Sequence, residues 1–279
     1  AEPLPVVATF SIIADLTRAV GGERVRVRAL VGPDADAHVY QPTPADARLI
    51  GRARLVVANG LGFEGWIDRL VAAAGYRGEV LVASDGIEVL HADEHGKAAR
   101  HHGTDADPHA WQDLRNVKRY VMNIAAALSR ADPSGASRYR ANAAAYAARL
   151  DALEAEFRTA IGRLPPQRRR VVTSHDAFGY LARAYGLRFE APVGVSTDAE
   201  ASAADVAALI RQIRREGIPA VFLENISDAR LLERVRAETG ARIGGTLYSD
   251  ALSGPGGPAA NYLDMMRHNL NTLTAALAP

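Results

Sequence analysis

Three histidines stand in compact acidic or aromatic motifs: His38 in DADAHVYQPTP, His109 in DADPHAWQD and His175 in VVTSHDAF, with Asp250 in TLYSDALS. Neutral imidazole is a ligand for divalent transition metals, and three imidazoles with one carboxylate make a tetrahedral site of three nitrogens and one oxygen. Zinc fits that donor set best. Taken one at a time, each residue has a plainer role, as a solvated or capping loop histidine or as a turn aspartate. Their shared position, at or beyond the carboxyl ends of strand-like runs, is what points to a site. Pro108 stiffens the approach to His109, and a nearby aspartate can orient its ring. The chain has no cysteine, which removes disulfides, thiolate nucleophiles and sulfur-ligated metals.

Other chemistry-bearing residues are weighed against that group. His91, His95, His101 and His102 fall within HADEHGKAARHH, in a polar stretch too long for an ordinary connection. Such a loop suits weak, exchangeable metal capture, and its plainer reading is a solvated loop with incidental histidines. His268 lies in the last helical pattern and reads as structural. Glu200 and Glu224 are candidates for the shell around the ligands, or for acid and base in a zinc hydrolase, the alternative enzyme reading. Four protein donors would close the shell that a catalytic zinc keeps open, and no G-x-S-x-G motif strengthens a hydrolase. Gly60, Gly62 and Gly65 match a dinucleotide fingerprint after the run RLVVAN, with Asp85 beyond. They sit in the third strand–helix unit, where a packing turn explains them better.

The elements that must position these residues alternate β-branched runs with amphipathic helical stretches, so the class is α/β with parallel sheets covered by helices. Strands are expected at residues 6–10, 24–31, 54–58 and 79–83, then at 170–173, 187–192, 220–223 and 242–246. Thr43, Pro44 and Asp46 mark a helix start, and Ser202 with Asp205 marks another. From Asp132-Pro133 to the Pro165-Pro166 stop, helical spacing continues without a break. At about 1.5 Å per residue it would span ~42 Å, longer than a small domain is wide. It reads as a rigid spine, giving an N-terminal lobe (1–131), a linking helix (132–165) and a C-terminal lobe (166–279).

With 33 basic against 32 acidic residues, the net charge of +1 gives no case for nucleic acid or an anionic membrane. Hydrophobic residues make up 48% of 279, enough to bury a core in each lobe. No apolar run approaches the ~20 residues of a membrane span. The start, AEPLP, reads as a processed end of a secretory precursor without an N-terminal cysteine for lipid attachment.

Four segments, in order, carry a resemblance: DAHVYQPTPAD (36–46), DPHAWQD (107–113), SHDAFGYLARAYGL (174–187) and LYSDALS (247–253). Together they resemble the periplasmic metal-binding receptors of bacterial ABC transporters, especially the zinc-binding ZnuA and AztC type, over nearly the whole chain. The resemblance implies that His38, His109, His175 and Asp250 ligate one zinc ion, two from each lobe, and that the chain is no enzyme. It implies a periplasmic monomer that hands zinc to a membrane permease, with a periplasmic metallochaperone as a further partner. It also implies a His-rich loop around residues 91–102 and a packing role for NGLGFEGW. Manganese receptors of this family commonly carry a carboxylate where this chain has His175; a manganese receptor is the alternative within the family.

Overall fold

The computed structural model describes residues 2–91 and 106–279, so His95, His101 and His102 lie outside the described residues. The first half runs β1 (Leu4–Phe10), α1 (Ser11–Gly21), β2 (Val25–Val31), α2 (Pro44–Gly51), β3 (Leu55–Ala58), α3 (Ile67–Ala73), β4 (Glu79–Val82) and α4 (Leu114–Ala131). After the long α5 (Ala136–Gly162), the second half runs β5 (Arg170–Val172), α6 (Gly179–Tyr185), β6 (Arg188–Glu190), α7 (Ala203–Glu216), β7 (Ala220–Glu224), α8 (Arg230–Thr239), β8 (Arg242–Leu247) and α9 (Tyr262–Leu277).

Each half builds a four-stranded parallel sheet, in the orders β2-β1-β3-β4 and β6-β5-β7-β8. The two orders are the same plan repeated. The central β3, Leu-Val-Val-Ala, is buried at every position, as a parallel strand covered on both faces must be. The chain leaves β1 and β5 in opposite directions for their two neighbours, so each sheet has a switch point beside its first strand. Ligand sites in open α/β sheets form beyond the carboxyl ends there.

Local signals hold. The Thr43 hydroxyl accepts from the Asp46 amide and the Asp46 carboxylate accepts from the Thr43 amide, with Pro44 opening α2. Ser202 caps α7 through the Asp205 amide. Strand ends differ from expectation by one or two residues; β6 stops at Glu190, two before Pro192, which has no N–H to extend a ladder. The spine begins at Ala136, because Pro133–Gly135 forms a separate 3-10 turn. Asp132, which accepts from Arg24 and from the Tyr139 hydroxyl, pins that turn to the first lobe.

Helix α5 has 27 residues, about 40 Å at the usual rise. Its buried residues, Tyr139, Ala143, Tyr146, Leu150, Leu153, Phe157 and Ile161, recur every three or four positions and form one stripe. That stripe packs against α1, α4, α6 and α9. One hydrophobic core therefore runs from β1 and α4 through α5 into α6 and α9, while a smaller core lies among β7, α7 and α8.

Candidate metal centre

His38 follows β2, His109 precedes the 3-10 turn Ala110–Gln112 that leads into α4, His175 follows β5 and Asp250 follows β8. The fold brings all four together from loops of both halves, with one candidate ligand atom of each within 4.8 Å of the others. His38 Nε2 lies 3.3 Å from His109 Nε2, and His175 Nε2 lies 3.4 Å from the same atom. Asp250 Oδ2 is 3.1 Å from Nε2 of both His38 and His175, and its Oδ1 is 3.4 Å from His109 Nε2. All three imidazoles thus present Nε2. The side chains are at most 3% exposed.

Two of the rings are fixed from behind. Asp107 Oδ1 lies 2.7 Å from His109 Nδ1 and accepts the His109 amide at 2.9 Å. Glu224, at the end of β7, accepts the amides of Ser174 and His175 with Oε1 and places Oε2 2.6 Å from His175 Nδ1. A carboxylate on Nδ1 fixes the tautomer that leaves Nε2 for a metal and raises the basicity of the ring. His38 is set through its backbone. Its amide donates to Asp36, the preceding Ala37 carbonyl accepts from the Trp66 indole, and Phe63 meets the ring edge-on at 4.6 Å.

The electrostatics follow. Burial works against a charged His109, yet Asp250 and Asp107 outweigh it and push its pKa up to about 9. Burial also opposes charge on His175, and Glu224 with Asp250 raises it well above the ordinary histidine value. For Asp250 burial favours the neutral acid, but His109 and His175 hold it well below the usual carboxylate range.

Of the two candidate outer glutamates, Glu224 is in place and Glu200 is not: it is exposed, on the segment before α7, beside Arg230. His268 Nε2 donates to the Thr246 carbonyl, 2.9 Å away, and lies outside the candidate ligand group. His91 is exposed and pairs as an isolated bridge with Ala106. Sequence reading left unnamed the aspartate behind His109; its signal was the D-P-H spacing, which lets residue 107 reach its own second neighbour.

The glycine fingerprint is filled by protein. Gly60, Leu61 and Gly62 all have positive φ, and the Glu64 carboxylate accepts the amides of Asn59 and Gly60 and the Thr9 hydroxyl. That carboxylate occupies the cradle a phosphate would need. The Asn59 side chain then donates to the Pro108 carbonyl, so the turn supports the His109 segment.

The family described as "ZnuA: Zinc-uptake complex component A periplasmic" matches residues 6–276. The iron-binding protein YfeA of Yersinia pestis is 34% identical, covering 98% of this chain and 86% of that protein. The manganese-binding lipoprotein MntA of Halalkalibacterium halodurans is 32% identical, covering 99% and 89%. Among solved structures, the periplasmic zinc-binding protein TroA of Treponema pallidum superposes with a TM-score of 0.91 at 33% identity, covering 100% of both chains. A manganese-bound periplasmic metal-binding protein from Candidatus Liberibacter asiaticus gives 0.85 at 32% identity over 98% of each. The fold, the buried ligand group and these matches agree, and the chain belongs to the ZnuA family of periplasmic metal-binding receptors, the substrate-binding components of ABC transporters.

Proposed function

We propose that this chain is a zinc receptor that holds one ion through His38, His109, His175 and Asp250 and delivers it to the permease of an ABC importer. The observation that carries the reading is the spacing of three imidazole nitrogens and a carboxylate at 3.1 to 3.4 Å. Zinc bonds of about 2.0–2.1 Å in a tetrahedron put neighbouring donors about 3.3 Å apart. Nitrogen-rich donors favour zinc over manganese, which prefers oxygen. A receptor role, with no catalysis, follows from four protein donors buried together, which leave no open position for a substrate.

Manganese is the second reading, because Asp250 turns both oxygens toward the imidazoles and relatives are named manganese-binding. A two-oxygen carboxylate would raise the coordination number toward what manganese accepts. The test is competition: the metal-free chain dialysed against equimolar Zn2+ and Mn2+, then analysed for metal content. Zinc at one equivalent is expected. Manganese retained in excess of zinc overturns the assignment.

The same reading divides the chain into lobes 1–131 and 166–279 about a linking segment 132–165. It treats the receptor as a monomer, loaded directly or by a periplasmic zinc metallochaperone, with His91, His95, His101 and His102 as accessory capture residues.

A further inference from the structure

By sequence position the ligands divide two and two between the lobes, but the bonds that hold Asp250 divide them differently. The carbonyl of Ser249, one residue before it, accepts from the Trp111 indole at 2.9 Å and the Gln112 amide at 2.8 Å. Both donors lie in the turn directly after His109. Two residues beyond Asp250, the Leu252 amide donates to the Ser11 hydroxyl and the Leu252 carbonyl accepts the Asp34 amide, both at 2.9 Å. Ser11 opens α1 and Asp34 precedes the His38 loop. Tyr248 is gripped at both backbone groups by Asn269 of α9, whose first residue, Tyr262, donates to the Trp111 carbonyl and to Asp15. From the second sheet, Asn225 reaches the Ala251 carbonyl, and the same amide also donates to Asp34.

His175 is held from its own side. Its amide and that of Ser174 rest on Glu224, Thr173 donates to its carbonyl, and it bridges to Val193. Ties back to the first lobe come from Tyr180 of α6, whose hydroxyl accepts from the Leu90 amide and donates to the Asp107 carbonyl, and from Thr197, whose hydroxyl donates to Asp36.

We propose that Asp250, although encoded in the C-terminal half, is carried by the N-terminal lobe through the positioning residues Ser11, Trp111 and Gln112. His38, His109 and Asp250 then form one preassembled three-donor face, and His175, backed by Glu224, is the single ligand presented from the other side. Capture begins on the three-donor face; retention depends on His175. This rests on the zinc-receptor reading for the identity of the ion alone.

Zinc affinities of Gln112→Ala, alone and combined with Asp250→Asn or His175→Ala, test it as two double-mutant cycles. Gln112→Ala is expected to weaken zinc about tenfold, in the range that partners of metal ligands show. The loss should shrink below about twofold when Asp250 is already Asn and persist in full when His175 is already Ala. A loss that persists beside Asp250→Asn, or vanishes beside His175→Ala, overturns the proposal. Ser11→Ala repeats both cycles from the other end of the loop. Hydrogen exchange on the unaltered metal-free chain supplies an independent readout. The Leu252 amide should be protected like α4, and the Ser174 and His175 amides should exchange faster; equal protection counts against it. Failure of the unaltered chain to hold zinc would defeat the zinc reading and leave the exchange result as the test of the partition.

Discussion

At the scale of residues, the proposed ligand group would store protons as well as hold a metal ion. Asp107, Glu224 and Asp250 raise the pKa values of His109 and His175, so both rings would carry protons in the absence of metal. A divalent ion must displace those protons, so zinc affinity should rise with pH through about 9, the midpoint at which His109 gives up its proton unaided. Stability of the metal-free fold runs the other way. The raised pKa of His109 adds stability that is fully present below its ordinary value of 6.5 and lost as pH rises through about 9. Titration calorimetry at pH 7 in buffers of different ionisation enthalpy should report release of about two protons per zinc; release near zero would refute the charge balance. Asp107→Asn and Glu224→Gln should each weaken zinc about 10- to 100-fold with the ligands intact. His268→Ala, with its ring on the Thr246 carbonyl, should change competitive zinc affinity by less than about twofold.

At the scale of elements, the turn after β3 shows how a binding-like motif becomes a scaffold. A Cβ at Gly60 would lie 2.4 Å from Val82 Cγ1 of the neighbouring strand, and φ there is +85°. Gly60→Ala should therefore destabilise the metal-free chain by about 1–3 kcal/mol in urea unfolding. Because Glu64 already fills the amide cradle, NAD should leave the melting temperature unchanged; a rise on adding NAD would show the cradle open to phosphate.

At the scale of the whole molecule, one core shared through α5 ties the lobes together. A continuous helix packed against both lobes has no place to bend sharply, since it lacks an internal proline or glycine from Ala136 to Ile161. Metal binding is expected to stabilise the fold by mass action, by about 4 kcal/mol when free zinc exceeds Kd a thousandfold. A melting curve should rise with zinc concentration, while solution scattering shows little change in radius of gyration. A large compaction would count against the rigid spine.

Legible in the chain alone were the parallel α/β class, the strand–helix order and the starts of α2 and α7, because each depends on periodicity or spacing within a few positions; the proposed metal ligands stood out through their motifs and the family resemblance. The sequence also marked His175 and Glu224 separately, without the 2.6 Å contact that joins them. Packing settled that Glu224 and not Glu200 lies against His175, that Glu64 fills the glycine cradle, and that Trp111 and Gln112 reach Ser249. These contacts join residues far apart in the chain. Which distant donor meets which acceptor is set by how the lobes pack on α5, and no local pattern of side chains encodes that geometry.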